Sequence, residues 1–323
     1  MTLENLEGVI AILLTPLTES GEVDEPGVRH LVEACVAKGL DGVVVLGSNG
    51  EFPYLRFEEK VRVMAAAAQG AAGRIPVIAG ASAWGTEEAV ALSKEAKKAG
   101  CHGVMVAMPM YFKLDFKGVV KHFEAVVDQG GLPVIFYYFP EVTGLILSPR
   151  ELSEIAAIDG IVGAKLTVLS RSYLKKAIEA TRPLGWRAFT GTSFLFLDCL
   201  SFGGAGVTCP LALIGAEDVK GIYEAYKDGD LNRAKKLQAR VRQAIPLFSG
   251  MDLSPRLLSL GFDLLTRLPS RSGTRPAATH GLLKQALRLQ GHPITNKVKP
   301  PFVEASETQK KLVQKTLRSL NWV

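Results

Sequence analysis

Short, continuously apolar runs alternate along the chain with stretches in which apolar residues return every three or four positions. GVIAILLTP (8–16), GVVVLGS (42–48), PVIAGAS (76–82), GVMVAMP (103–109), PVIFYYFP (133–140), GIVGAKLT (160–167), WRAFTGT (186–192) and AGVTCP (205–210) predict eight strands buried on both faces. Helical period fills most of the gaps. In the first gap Val28, Leu31, Val32, Cys35 and Val36 fall at i, i+3, i+4, i+7 and i+8, and Pro26 stands where a first helical turn tolerates it. Gly-x-x-Gly-Val recurs at 39–43, 100–104 and 203–207, each time between a helical stretch and a strand. Its first glycine is expected to close the helix in the left-handed conformation.

Eight strands alternating with helices predict an α/β fold, a (β/α)8 barrel over residues 1–227. An open doubly wound sheet would want GxGxxG after an early strand, and the chain has none there. Beyond residue 228 the strand signal stops. HGLLKQALRLQG (280–291) and ASETQKKLVQKTLRSL (305–320) have helical period, so residues 228–323 are expected to form a helical C-terminal extension packed on the barrel.

Composition narrows the function classes. Hydrophobic residues make up 47% and charged residues 22%, as in ordinary globular proteins. No run approaches the ~20 apolar residues of a membrane span, and MTLENLEG shows no basic-then-apolar leader. Four dispersed cysteines without CxxC suggest reduced thiols and a cytoplasmic protein. Five histidines without an HxH or HxxxH pair predict no metal site. The net charge of +6 is concentrated late. RAKKLQARVR (233–242) reads as a solvated helix face and RLPSRSGTRP (267–276) as an exposed loop. No basic face is interleaved with aromatics, which excludes a nucleic-acid partner.

In a barrel the chemistry gathers at the C-terminal strand ends. Thr15-Pro16 lie there, as do Gly47-Ser48-Asn49-Gly50-Glu51, Pro109-Met110-Tyr111, Tyr137-Tyr138 and Gly191-Thr192-Ser193. GSNGE brackets small polar residues with glycines, so it reads either as an ordinary turn or as backbone N–H groups converging on an anion. Lys165 interrupts the apolar run GIVGAKLTV. It is either paired with a carboxylate or an amine whose pKa is lowered by desolvation, fit to form a Schiff base with a carbonyl.

GVIAILLTP, GSNGE, PVIFYYFPEVTG and GIVGAK, in this order and spacing, resemble the dihydrodipicolinate synthase and N-acetylneuraminate lyase family of class I pyruvate-dependent aldolases. KQALRLQG and KPPF resemble that family's ending. The resemblance implies that Lys165 is the Schiff-base lysine, so the covalent imine to Lys165 serves in place of a cofactor. It implies that Tyr137 relays protons, that Ser48 and Asn49 hold the carboxylate of a 2-oxo acid with Ser48 also in the relay, and that Tyr111 enters a neighbouring subunit's site. A homotetramer or homodimer would follow. Gly47, Thr15, Gly191 and Thr208 complete the candidate substrate contacts.

The departures bear on substrate. In dihydrodipicolinate synthases the turn after the relay tyrosine carries an arginine that grips a second carboxylate; here Val142 stands in that place. GSNGEFPYL is closer to 4-hydroxy-2-oxoglutarate aldolases, and the Lys-Leu-Thr of strand six is similar to sugar-acid aldolases. PMYFKLD is similar to hydratase-aldolases of aryl-substituted pyruvates. Tyr138 replaces a common Asn and Met110 a common Tyr, and both are expected to enlarge or grease the pocket. The expected function is a lyase that reversibly cleaves a 4-hydroxy-2-oxo acid to pyruvate, or a glyoxylate-type 2-oxo acid, plus an aldehyde. The alternatives are dihydrodipicolinate synthase-type condensation, sugar-acid dehydration, aryl-pyruvate hydratase-aldolase chemistry, and a non-catalytic 2-oxo acid sensor. The joint presence of Lys165, Tyr137 and Ser48 speaks against the sensor.

Other residues carry weaker expectations. Glu51 reads as a general base or a helix-entry carboxylate, and Arg171 as a residue reaching the pocket or a solvent-facing helix entry. Asp115 reads as a cap, Trp84 and Trp186 as packing, and Cys209 as a small buried hydrophobe.

Overall fold

The computed structural model describes residues 3–109, 111–252, 254–268 and 278–323. Strands β1 (Gly8–Ile12), β2 (Gly42–Val45), β3 (Val77–Gly80), β4 (Gly103–Ala107), β5 (Val134–Tyr138), β6 (Ile161–Leu166), β7 (Arg187–Thr190) and β8 (Gly206–Cys209) pair in parallel in chain order. β8 closes on β1 with Gly8 opposite Gly206, so the sheet is a closed (β/α)8 barrel. The helices Leu231–Arg242, Pro255–Arg267, His280–Leu289 and Glu307–Ser319 follow it. Among the described residues no helix is long and apolar enough to cross a membrane.

Strand parity builds two cores. Ile10, Ile12, Val44, Ile78, Met105, Ala107, Ile135, Tyr137 and Phe189 point into the barrel and form the smaller one. Their neighbours in sequence, such as Val9, Val43, Val104, Phe136 and Val207, point outward and pack under the helices. The continuous apolar runs follow directly from this double burial.

The same parity corrects the reading of Tyr138. It lies in the outer core, stacked on Phe136 and Tyr173, and its hydroxyl accepts a hydrogen bond from the Leu147 N–H at 3.0 Å. It neither enlarges nor greases the pocket. Phe139, one residue on, packs against the inner core with its ring centroid 5.9 Å from that of Tyr137. Met110 lies outside the described residues, as does nearly all of the 267–276 stretch.

Helix termini follow the local chemistry. Gly39, Gly100 and Gly203 adopt φ of 63°, 86° and 89°, the left-handed closures expected of the repeated motif. Asp24 caps Glu25–Ala37, and Asp115 caps Phe116–Gly130 by accepting the Gly118 N–H at 2.6 Å. Trp186 is packing, with its indole N–H donated to the Ile161 carbonyl. Trp84 is not: it is 60% exposed and stands edge-on to Tyr111. The basic helix Leu231–Arg242 is solvated only in part. Arg240 pairs with Asp218 at 2.6 Å and Arg242 with Asp198 at 3.5 Å, tying the helix to its neighbours.

Candidate active site

The site starts where β2 ends. Leu46, the first residue after the strand, has φ 58°, and Glu51 has φ 61°. Both are side-chain-bearing residues in the left-handed region, a conformation costing of order 1–3 kcal/mol each. Between them Ser48–Gly50 form one 3-10 turn. Gly80 makes the Leu46 bend possible, because a Cβ there would stand 2.0 Å from the Leu46 carbonyl oxygen. Gly47 fits close against Ile12, and the Thr15 hydroxyl donates to the Gly50 carbonyl at 2.7 Å. Thr15 therefore braces the turn.

The bend brings Ser48 Oγ to 3.1 Å from the Tyr137 hydroxyl. Lys165 lies beside Tyr137 in the sheet register and across from Phe189 in β7. Its Nζ rests 4.0 Å from the Tyr137 ring centroid, and the residue is 3% exposed. Among the described residues Lys165 has no carboxylate within ion-pair distance. Lys165, Tyr137 and Ser48 thus converge, and Asn49 follows Ser48 in the same turn.

Two further strand ends join them. Thr208 is buried and pairs with inward-facing Ile10. Gly191 leaves room for Thr167, whose hydroxyl oxygen would stand 1.9 Å from a Cβ at that position. The Thr167 hydroxyl is buried and has no hydrogen-bond partner among the described residues. Thr167 stands two residues after Lys165 in Lys-Leu-Thr, so strand alternation was the visible signal that it faces the same way.

Other candidates have surroundings of their own. Tyr111 is 82% exposed and packs edge-on against Trp84 and Phe112. Arg171 opens the helix Arg171–Thr181 and pairs with Asp198, as a helix-entry residue does. Cys209 is buried on the outward face, and burial raises its thiol to about 11, in keeping with a small hydrophobe. Val142 stands on the short helix Pro140–Thr143 and is 39% exposed.

Glu51 matches neither of its expected roles. It is fully buried, its Oε1 pairs with Lys284 Nζ at 2.7 Å, and its Oε2 accepts the Lys299 N–H at 2.6 Å. A carboxylate so committed is not a free base, and its counter-charge is a lysine rather than a helix dipole. Lys284 lies on the buried face of His280–Leu289, with His280, Leu283 and Leu287 at helical spacing. That stripe was readable in the sequence; its partner was not.

Comparison with known proteins agrees with the geometry. The model of the dihydrodipicolinate synthetase family matches residues 5–256. A 4-hydroxy-tetrahydrodipicolinate synthase of Methanoculleus marisnigri is 34% identical over 80% of this chain and 89% of its own. Another, from Syntrophus aciditrophicus, is 28% identical over 97% of this chain and 98% of its own. The crystal structure of the prophage protein YagE from E. coli, described as belonging to the dihydrodipicolinic acid synthase family and in complex with pyruvate, superposes with a TM-score of 0.85 at 26% identity, covering 98% of this chain and 99% of that one. The dihydrodipicolinate synthase of Aquifex aeolicus superposes with a TM-score of 0.82 at 27% identity, covering 98% of each chain. The chain therefore belongs to the dihydrodipicolinate synthetase family and is a carbon–carbon lyase.

Proposed function

We propose that this lyase is a class I aldolase that reversibly cleaves a 4-hydroxy-2-oxo acid to pyruvate and an aldehyde. The observation that carries the reading is a buried lysine without a counter-charge among the described residues, stacked on a tyrosine whose hydroxyl meets a serine. The GSNGE turn, through Ser48 and Asn49, holds the substrate carboxylate. Lys165 Nζ adds to the C2 carbonyl, and the carbinolamine loses water to give an imine. Tyr137, hydrogen-bonded to Ser48 and left as a phenolate by giving its proton to the departing water, takes the proton from the C4 hydroxyl. The C3–C4 bond breaks, the aldehyde leaves, and the electron pair passes into the imine as an enamine. Protonation at C3 and hydrolysis release pyruvate and regenerate Lys165. The pyruvate complex of the similar YagE supports the choice of 2-oxo acid.

Three residues shape the distal end. Val142 supplies no guanidinium for a second carboxylate. The Thr167 hydroxyl, without a partner among the described residues, suits a hydroxylated substrate, and Phe139 adds an apolar wall. The names of the curated relatives favour a second reading, condensation of pyruvate with aspartate semialdehyde on the same scaffold. We place the enzyme in the cytoplasm as a homodimer or homotetramer, in which the exposed Tyr111 reaches a neighbour's site.

The test is a panel of 4-hydroxy-2-oxo acids scored for pyruvate release, run beside condensation of pyruvate with aspartate semialdehyde. Neutral or hydroxylated distal ends should give the higher kcat/KM. A best rate with aspartate semialdehyde rejects the substrate assignment. Formation of a dehydrated 2-oxo acid instead of pyruvate makes the enzyme a dehydratase.

A further inference from the structure

The turn that carries Ser48 and Asn49 is held from outside the barrel. Two strained residues, Leu46 and Glu51, flank it. Such conformations persist only where the surroundings over-determine them. On one side the surroundings are Gly80 and Thr15. On the other they come from the chain's last 44 residues: Lys284 on Glu51, the Lys299 N–H on Glu51, and His280 on the carbonyl of Ser48 itself.

The His280 contact acts on the proposed substrate-binding residue directly. Its Nε2 lies 2.9 Å from the Ser48 oxygen. A carbonyl only accepts, so Nε2 carries the hydrogen and Nδ1 is bare. Nδ1 is buried and has no partner among the described residues. The ring lies flat on Phe302, centroids 3.9 Å apart, which fixes its plane. Burial lowers the pKa of His280, in agreement with a neutral ring in this tautomer. A peptide whose carbonyl is hydrogen-bonded to His280 is held in one orientation, and its neighbouring N–H groups are held with it.

We propose that His280 is a positioning residue for the oxo-acid site, orienting the Ser48-Asn49 turn to receive the substrate carboxylate, so that the C-terminal helix forms part of that site. This rests on the assignment of the turn as the carboxylate cradle. Lys284 and Lys299 hold the same turn at Glu51, but Lys284 does so through a buried ion pair whose loss endangers the fold and Lys299 through a backbone N–H that no side-chain substitution removes. His280 is therefore the informative position.

The experiment is borohydride trapping of pyruvate on Lys165 in the full-length chain, with pyruvate varied. His280→Phe keeps the ring on Phe302 and removes the donor; His280→Gln restores an amide donor at the reach of Nε2. Half-saturation for pyruvate should rise about two- to tenfold in His280→Phe, the worth of one hydrogen bond. It should return toward the wild-type value in His280→Gln, and trapping at saturation should stay within about twofold of wild type in both. Where His280→Phe does not fold, His280→Asn, whose shorter amide falls short of the Ser48 carbonyl, takes its place with the same expectation. Wild-type trapping with unchanged half-saturation in the donor-less variant overturns this inference alone. So does a loss confined to the saturated rate, or one that Gln does not rescue. Absence of trapping in the wild-type chain overturns the Schiff-base assignment, and this inference with it.

Discussion

Lys284 and Lys165 are both almost completely buried and live in opposite surroundings. Lys284, on the C-terminal helix, meets Glu51 at 2.7 Å, and both side chains are wholly out of solvent. Lys165, in β6, meets a tyrosine ring and has no carboxylate partner among the described residues. A third, Lys60, behaves like Lys284 and pairs with Glu88 at 3.3 Å. Burial of a charge is costly unless it is paired. The paired lysines are thereby accounted for as structure, and Lys165 is the one that pairing leaves unexplained among the described residues. Burial alone says little; burial without a counter-charge, at the C-terminal end of a barrel strand, says where to look.

The sharpest break between the two is substitution. Lys165→Ala should abolish borohydride-trapped pyruvate and lower kcat by roughly 10³-fold or more, because the covalent nucleophile is gone. Its stability should change little, since no buried carboxylate is orphaned. Intact-mass analysis and thermal unfolding read the two effects separately. An adduct that survives in Lys165→Ala refutes the assignment. Tyr137→Phe should follow with a loss of ~10²–10⁴-fold in kcat and an intact fold. Unchanged turnover would remove Tyr137 from the proton path.

Lys284→Met should show the reverse pattern. It leaves Glu51 buried and unpaired, which costs ~3–5 kcal/mol of stability. Adding Glu51→Gln should recover part of that loss, because the orphaned charge is then removed. Urea unfolding of the two single variants and the double variant measures the coupling. Strictly additive losses would mean that the 2.7 Å pair carries no special weight.

The same contrast explains what was legible in the sequence. Barrel strands buried on both faces read as apolar runs, so all eight emerged, and left-handed glycines marked the helix ends. The meeting of Lys165, Tyr137 and Ser48 also followed, because strand ends converge in a barrel and four motifs matched a family. The partner of Glu51 was hidden, since nothing local announces that a turn near residue 51 will meet a helix near residue 284. Tyr138 was misplaced for a different reason: it was compared with a family position when strand parity already faced it outward. Trp84, expected as packing, lies exposed against Tyr111.

A buried histidine gives the smallest test, and it asks whether burial without charge has a measurable cost away from the site. His122 lies on the helix Phe116–Gly130, 3% exposed, with Nδ1 at 3.0 Å from the Thr86 hydroxyl and Nε2 buried without a partner among the described residues. Burial pushes it from its ordinary 6.5 down to about 4. Below pH 6.5 the unfolded chain takes up this proton while the folded chain does not until about pH 4. The unfolded state therefore binds more protons across that window, and stability falls as the pH falls through it. At 1.36 kcal/mol per unit the full loss is at most about 3 kcal/mol. His122→Asn, whose amide can keep the Thr86 contact, should remove this slope. His102, His280 and His292 are also lowered by burial and contribute slopes of their own, so the quantity to follow is the difference between wild type and variant. Urea melts at intervals from pH 7 to 4 should show that difference shifting in favour of the variant as acid is added. A constant difference across the window would show that His122 takes up its proton at the same pH in the folded and the unfolded chain, and that its burial carries no such cost.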